Sequence, residues 1–418
     1  MGNELAELMR RSAGDGPSDQ VDVGAVLTAG RRRVRRRRAA AAGGTAALVA
    51  TALVAGSLLT VVAGGSGGPD AAERELEPVG RVLTLADARA GVPGEDFRVL
   101  TSLTNENLDQ ANGRYLSGVT DDGLVLVTDG PRTMRNETRI GLLDPAADEP
   151  AWLPGGPQQV SAPIALTEER LVFYGPGARS SGSPVLVFDR SEGTWTRLRW
   201  EGLPRAEVQA VDARGDRLYL ALDTGGEIRQ FDLWSVSLSD PGDVRNEQTV
   251  VGDFDITGDL LTFTATHNEP NDRVHVRDLA SGEEWDFDPL SGDRCNQLGL
   301  QRIDDLLVLS QYCGTRDDVR DDRVQVVTDR GDPVVTVQGD GLEAGWTAGS
   351  VVLVESYDRD EGGAYAWDPG TGELVRLSDR ISNFGLGGAV PAGSELLMWH
   401  TPLNRRHGAE QHLATWLD

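Results

Sequence analysis

The sequence predicts an all-β fold, a seven-bladed β-propeller of four-stranded blades preceded by a single transmembrane helix, and three observations carry that prediction. A short apolar run closes on an aspartate seven times, at Asp144, Asp189, Asp232, Asp278, Asp329, Asp368 and Asp418, at intervals of 39 to 51 residues. A period near ~45 with several short strands per unit is that of a propeller blade. In three of these units glycine stands four residues after the aspartate, at Asp189/Gly193, Asp278/Gly282 and Asp368/Gly372, and residues 39–65 ahead of all the units carry no charge.

Taken in order, residues 1–38 form a basic tail, with nine arginines against five acids, that ends in RRRVRRRR. Residues 39–63 suffice to cross a hydrocarbon core, for which about 20 residues are needed at helical rise. An arginine cluster directly before a span stays on the cytoplasmic side. The expectation is therefore an uncleaved signal anchor at the cell membrane, with the N-terminus cytoplasmic and the propeller extracytoplasmic. Val61 and Ala63 leave a cleaved signal peptide as the rival, but the apolar run exceeds the ~7–15 residues of a usual signal core. Residues 64–78, rich in glycine and then in charge, read as a linker, and residues 79–418 as the propeller.

The whole chain has a formal net charge of −26, and since the tail is net basic the external domain is more acidic still. Such a surface repels polyanions, so no nucleic acid is expected as partner. The arginine run suits anionic membrane lipid instead. All 40 basic residues are arginine, which fits the codon usage of a high-GC bacterium and carries no chemistry.

Within each unit four strands are read, as in VQAVDARGD, RLYLALD and IRQFD followed by a more polar outer strand. The aspartate accepts hydrogen bonds from amides two residues on while the glycine takes a positive φ, so these aspartates belong to turns and not to catalysis. Trp152, Trp195 and Trp285 fall on outer strands, where they pack blade against blade. ATWLD at 414–418 reads as a third strand, so the seventh blade lacks its fourth. Either GRVLTLAD (80–87) or FRVLTSL (97–103) can supply it and close the ring, placing an N-terminal strand in one sheet with Leu413–Leu417 and removing two free edges.

Cys295 and Cys313 flank a segment that reads as a β-hairpin turning at Asp304 and Asp305. Opposing residues of an antiparallel pair keep a constant index sum, which sets the two cysteines almost face to face at the open end of the hairpin. A disulfide is expected, worth about 3 kcal/mol in the chain-entropy model. Two free thiols are the alternative, and a metal site is not supported by the spacing.

No nucleophile elbow, zinc-helix motif or phosphate loop occurs, and the glycine- and serine-rich stretch 175–183 falls where a hairpin loop is expected. Among the five histidines, His400 and His407 border the second-to-third-strand loop of the last blade and His267 occupies the equivalent loop of the fourth. Two acidic loops, Asp317, Asp318, Asp321 and Asp322, then Asp358, Asp360 and Glu361, faintly resemble calcium loops but lack the remaining ligands. Arg316, Arg320 and Arg323 interleave the first and are placed to neutralise it. No catalytic residue, metal ligand or cofactor is assigned.

The turn sequences VFDRSEGTW, RDLASGEEW and AWDPGTGEL resemble those of bacterial TolB-like and WD-repeat-like propellers over about residues 79–418. With the basic leader and span, the chain resembles membrane-anchored actinobacterial proteins. The resemblance implies a binding, scaffold or sensory ectodomain for a protein, peptide or envelope ligand. The alternative is an extracellular hydrolase or lyase with its site at the channel mouth, which requires three or more of His267, His400, Asp317, Asp358 and Asp360 to converge.

Overall fold

The computed structural model describes residues 80–417, except 106–112, 131–138, 156–162, 175–181, 183–184, 269–272, 290–294, 317–318, 349, 359, 381–389, 392 and 404–408. The tail, the span and the linker expected at 1–38, 39–63 and 64–78 lie outside the described residues, as does Asp418. No helix among the described residues is long and apolar enough to cross a membrane.

Seven sheets follow one another along the chain. Blades one to six each contribute four consecutive antiparallel strands, beginning at Gly113–Val119, Pro163–Leu166, Glu207–Arg214, Phe254–Thr257, Asn296–Ile303 and Leu342–Ala348. These first strands touch in sequence and form the inner wall of the ring, with Gly113–Val119 meeting the last blade. Between sheets lie separate apolar clusters, such as Val172, Leu218, Leu220 and Val236 at the seam of blades two and three. Fully burying one such side chain stabilises by about 1.5–3 kcal/mol, so the seams are the core of the fold.

The ring closes through the N-terminal segment, by one of the two routes expected. Strand β1 (Arg81–Thr84) pairs in parallel with the outer strand of blade five, Pro333–Gly339. Strand β2 (Arg89–Ala90) pairs in parallel with the outer strand of blade six, Leu374–Ser378. Strand β3 (Phe97–Asn105) then pairs antiparallel with Ala409–Trp416, Phe97 opposite Trp416 and Thr101 opposite Leu413. FRVLTSL is thus the closing strand, and GRVLTLAD is a fifth strand on blade five. The parallel direction explains the division: β1 and β2 run the same way as the outer strands they cover, whereas only the last blade offers an antiparallel vacancy.

The Asp–Gly turns form as the sequence implies. The Asp189, Asp278 and Asp368 carbonyls accept from Gly193, Gly282 and Gly372 N–H at 2.9, 2.8 and 2.7 Å, and these glycines have φ of 67°, 78° and 68°. One unit departs from the expected register. The third strand of blade three is Phe231–Ser237, so Asp232 begins it instead of ending it. Ile228, expected inside that strand, is 87% exposed in the loop before it. The sequence FDLWSVSLSDPGD has its own turn residues after Ser237, where Gly242 N–H donates to Asp240 Oδ1 at 2.9 Å, and these win over the earlier aspartate.

Candidate functional site

The strand directions give the ring two unlike ends. The first-to-second and third-to-fourth turns share one end, called here the turn face. The second-to-third loops and the blade-to-blade connections share the other, the loop face.

On the turn face, arginine–aspartate pairs bridge neighbouring blades. Arg190 holds Asp122 of blade one through both guanidinium nitrogens at 2.7 Å, and that bond pulls the Asp122 carboxyl down to about 2. Arg170 reaches Asp216 of blade three at 2.7 Å, and Arg214 reaches Asp259 of blade four. Burial alone would raise the Asp216 carboxyl, yet bonds from Ser239, Arg170 and Ser237 outweigh it and leave its pKa lowered.

The loop face is arranged differently at the seam of blades five and six. Arg320 donates to Asp322 twice at 2.9 Å, and Gly341 N–H adds a third bond to that carboxylate at 2.9 Å. Arg323 pairs with Asp321 in the same way, at 2.9 and 2.6 Å. Arg320 and Arg323 thus neutralise Asp322 and Asp321 as expected, while Asp317 and Asp318 lie outside the described residues. Beside it, Glu343 on the inner strand of blade six stands directly opposite Glu355 on the next strand. Like charges directly opposed destabilise a strand pair. Tyr357, a residue 47% exposed, donates its hydroxyl to Glu355 Oε2 at 2.6 Å. Burial first, then the Asp322 charge, pushes the Glu343 carboxyl up to about 7 against the pull of Arg320. Burial, Glu355 and Glu343 raise Tyr357 well above its ordinary value. Among the described residues the seam holds more carboxylates than cations, an arrangement suited to accept positive charge.

Those residues singled out from sequence that are described do not converge. His267, in blade four, is buried with Nδ1 2.9 Å from Asp253 Oδ2. His400 lies in blade seven, buried, with its imidazole pushed down to about 3 by burial and by His412. Asp358 spends one carboxylate oxygen on Asp360 and Glu361 N–H, at 2.7 and 2.8 Å, closing its own turn. Asp317, Asp318, His407 and most of 175–183 lie outside the described residues. Among the described residues no three His, Cys, Asp or Glu side chains are placed to hold a metal ion.

A disulfide joins Cys295 and Cys313 at the mouth of the expected hairpin. Its strands are Asn296–Ile303 and Leu306–Arg316, with Asp304 in the left-handed region at the turn. A bulge between Gln297 and Gly299 shifts the register by one and sets Asn296 opposite Tyr312, so the cysteines one step out face each other. Trp195 Nε1 donates to Pro154 O of blade one at 3.1 Å, and Trp285 Nε1 to Asp329 O of blade five at 2.9 Å. Both join blade to blade, and Trp152, with Arg139 over its ring at 4.2 Å, packs on the cluster that blades one and seven share.

Glu343, Glu355 and Tyr357 were not anticipated, although VVLVES offers a signal: a carboxylate ending an otherwise apolar strand. A second unanticipated feature lies on the inner wall. Asp212 of blade three accepts Ile256 N–H of blade four at 2.6 Å, one residue from Asp255, which accepts from Thr257 Oγ1 at 2.9 Å. Burial raises both carboxyls, and the charge of Asp255 raises Asp212 further.

No protein-family model matches the chain, and no curated protein matches it significantly. Solved structures do match. An oligogalacturonate lyase in complex with manganese shares 12% identity at a TM-score of 0.47, over 78% of this chain and 95% of that one. An acylaminoacyl peptidase from Pyrococcus horikoshii shares 13% at 0.46, over 73% and 52%. A putative TolB from Agrobacterium tumefaciens shares 18% at 0.30, over 41% and 64%. The chain spans about half the length of the peptidases it matches. At these identities and TM-scores the likeness carries no argument about function; the seven blades are shown by the sheets themselves, and a TolB-like structure is among the neighbours.

Proposed function

We propose that the protein is a single-pass, membrane-anchored propeller standing outside the cytoplasm, a binding or sensory module whose loop face takes a positively charged segment of a protein, peptide or envelope ligand. The observation that carries this reading is the seam of blades five and six, where Glu343 and Glu355 face each other and the aromatic ring of half-exposed Tyr357 bears the hydroxyl bonded to Glu355. Such a ring attracts a cation by its face. Large exposed apolar side chains support the same face, because Ile228, Tyr357 and Leu403 all lie on its loops. The disulfide supports an oxidising compartment.

The test is binding of the full chain to arginine-rich and glutamate-rich peptides of equal length. The reading expects a preference for the basic peptide that weakens with salt and falls about tenfold or more in Tyr357→Ala and in Glu343→Gln with Glu355→Gln. Equal affinity for both peptides, or variants that bind like the parent, would overturn it.

The Asp212–Asp255 pair favours a second reading, an extracellular hydrolase or lyase. Two carboxyls of raised pKa are suited to general acid and base roles. That reading requires turnover of a peptide or glycan substrate that Asp212→Asn abolishes in a still-folded protein.

A further inference from the structure

Blade seven differs from the other six in how the chain makes it. Its described strands are Leu396–Pro402 and Ala409–Trp416 from the C-terminal end, and β3 from the N-terminal end. The other six blades each have four strands in one continuous run of hairpins, with β1 and β2 added outside blades five and six, so blade seven differs in taking a strand of the blade itself from the far end of the chain. Its opening would also release the strap, because β3 continues from β1 and β2 on blades five and six.

This blade carries a histidine on each of its two faces. Met398 and Leu413 pack on blade one with Leu116 and Val127, and on that side Gln411 acts as a staple. It accepts Leu116 N–H at 2.9 Å and donates to Arg114 O at 3.0 Å. His400 is opposite Gln411 in the ladder and is buried. On the other side, Leu397, Trp399 and Ala414 pack on blade six with Val351 and Leu353. There His412 stacks on Trp399, ring centroids 4.9 Å apart. Its Nδ1 lies 3.0 Å from Ser102 Oγ on β3, and its Nε2 3.0 Å from Thr401 Oγ1. One imidazole thus links the N-terminal strand to the first described C-terminal strand of the blade.

We propose that blade seven is an acid-sensitive clasp, in which protonation of His400 and His412 loosens both seams of the closing blade and frees β3. A neutral imidazole has one N–H, so one of the two hydroxyls facing His412 donates to it and the other accepts. The imidazolium has two N–H groups, so both hydroxyls must then accept. Charging either ring also places a cation in an apolar seam.

Among the described residues the charges near the two imidazoles are these. On its own strand His412 has Glu410 at 3.9 Å, which opposes the effect of burial. Arg98 lies on β3 and Arg114 and Tyr115 on blade one, where Arg114 is paired with Asp129 and Glu149. Glu343 and Glu355 lie on blade six. The second histidine adds repulsion, since the charge of His412 lowers His400 further. Both imidazoles titrate below their unfolded value. The stability they contribute is therefore complete above the unfolded histidine pKa of about 6.5 and is lost as pH falls through the folded values.

Hydrogen–deuterium exchange of the full chain, corrected for intrinsic rates, tests this at about pH 7.5 and about pH 5, at two histidines each worth up to tenfold per pH unit. Protection in 97–105 and 409–416 should fall about tenfold or more on acidification while blades two to four keep theirs. His400→Gln with His412→Gln should abolish the difference. If that variant fails to fold, His412→Asn, which keeps a donor and an acceptor, should lessen it. Equal protection at both pH values, a loss spread over all blades, or histidine variants with the parental pH response would each overturn the clasp.

Discussion

The two ends of the ring use the same residue types for opposite ends. On the turn face, aspartates are held by arginines of a neighbouring blade, as in Asp122 with Arg190 and Asp216 with Arg170, and Asp216 accepts further bonds from Ser237 and Ser239. Their pKa values fall, which marks carboxylates the fold has already satisfied. At the seam of blades five and six on the loop face, Asp322 and Glu343 are raised, because burial there is not fully matched by cations. Lowered carboxylates stabilise the structure at neutral pH, whereas raised ones cost stability that a ligand can return. A face that stores such a cost is where binding is to be sought.

The comparison can be broken or sharpened by four variants. The largest effect is expected at the loop face itself, where a Cβ on Gly252 would meet the Thr266 carbonyl carbon at 2.0 Å. Gly252→Ala should lower stability by about 3 kcal/mol or more, read as a lower midpoint in denaturant melts. Cys295→Ser with Cys313→Ser should cost about 2–4 kcal/mol in the same melts. A loss smaller than about 1 kcal/mol would mean the hairpin register holds without the bond.

The third variant should move the other way. The Glu343 carboxyl is raised to about 7 in the folded chain, so the stability tied to its proton is complete below the unfolded value and is lost as pH rises through about 7. Glu343→Gln should remove that loss and gain about 1–2 kcal/mol near pH 8, and little near pH 4. A variant less stable than the parent at pH 8 would show that the charge is already compensated. The smallest effect belongs to the turn face. Arg190→Ala should cost about 1 kcal/mol at neutral pH. Asp122 is lowered to about 2, so its contribution is present above the ordinary carboxylate pKa and vanishes as pH falls through about 2. Loss of peptide binding in this variant would dissolve the distinction between the two faces.

Much of the fold was legible because propeller turns are local. Asp189 and Gly193 need only each other and the intervening amides, so four residues suffice to read them. The hairpin carrying the disulfide is likewise a matter of counting from its turn. Blade three escaped because two turn signals compete within a dozen residues, and the choice between Asp232 and Asp240 rests on which strand buries Leu233 and Val236 against its neighbours. The histidines escaped for a similar reason. His267, His400 and Asp358 share a face by topology, yet His267 and Asp358 are committed to partners within their own blades and His400 is buried on the side of blade seven that packs on blade one.

The sequence by itself determined the repeat, the number of blades, the acidity of the surface and the pairing of the cysteines, since each depends on spacing or on composition. The tertiary structure alone decided which N-terminal strand closes the ring, that the segment before it straps blades five and six, and that Glu343 meets Glu355. These are contacts between residues whose separation along the chain or whose strand register follows from the packing of whole sheets. Local turn chemistry carries no information about either.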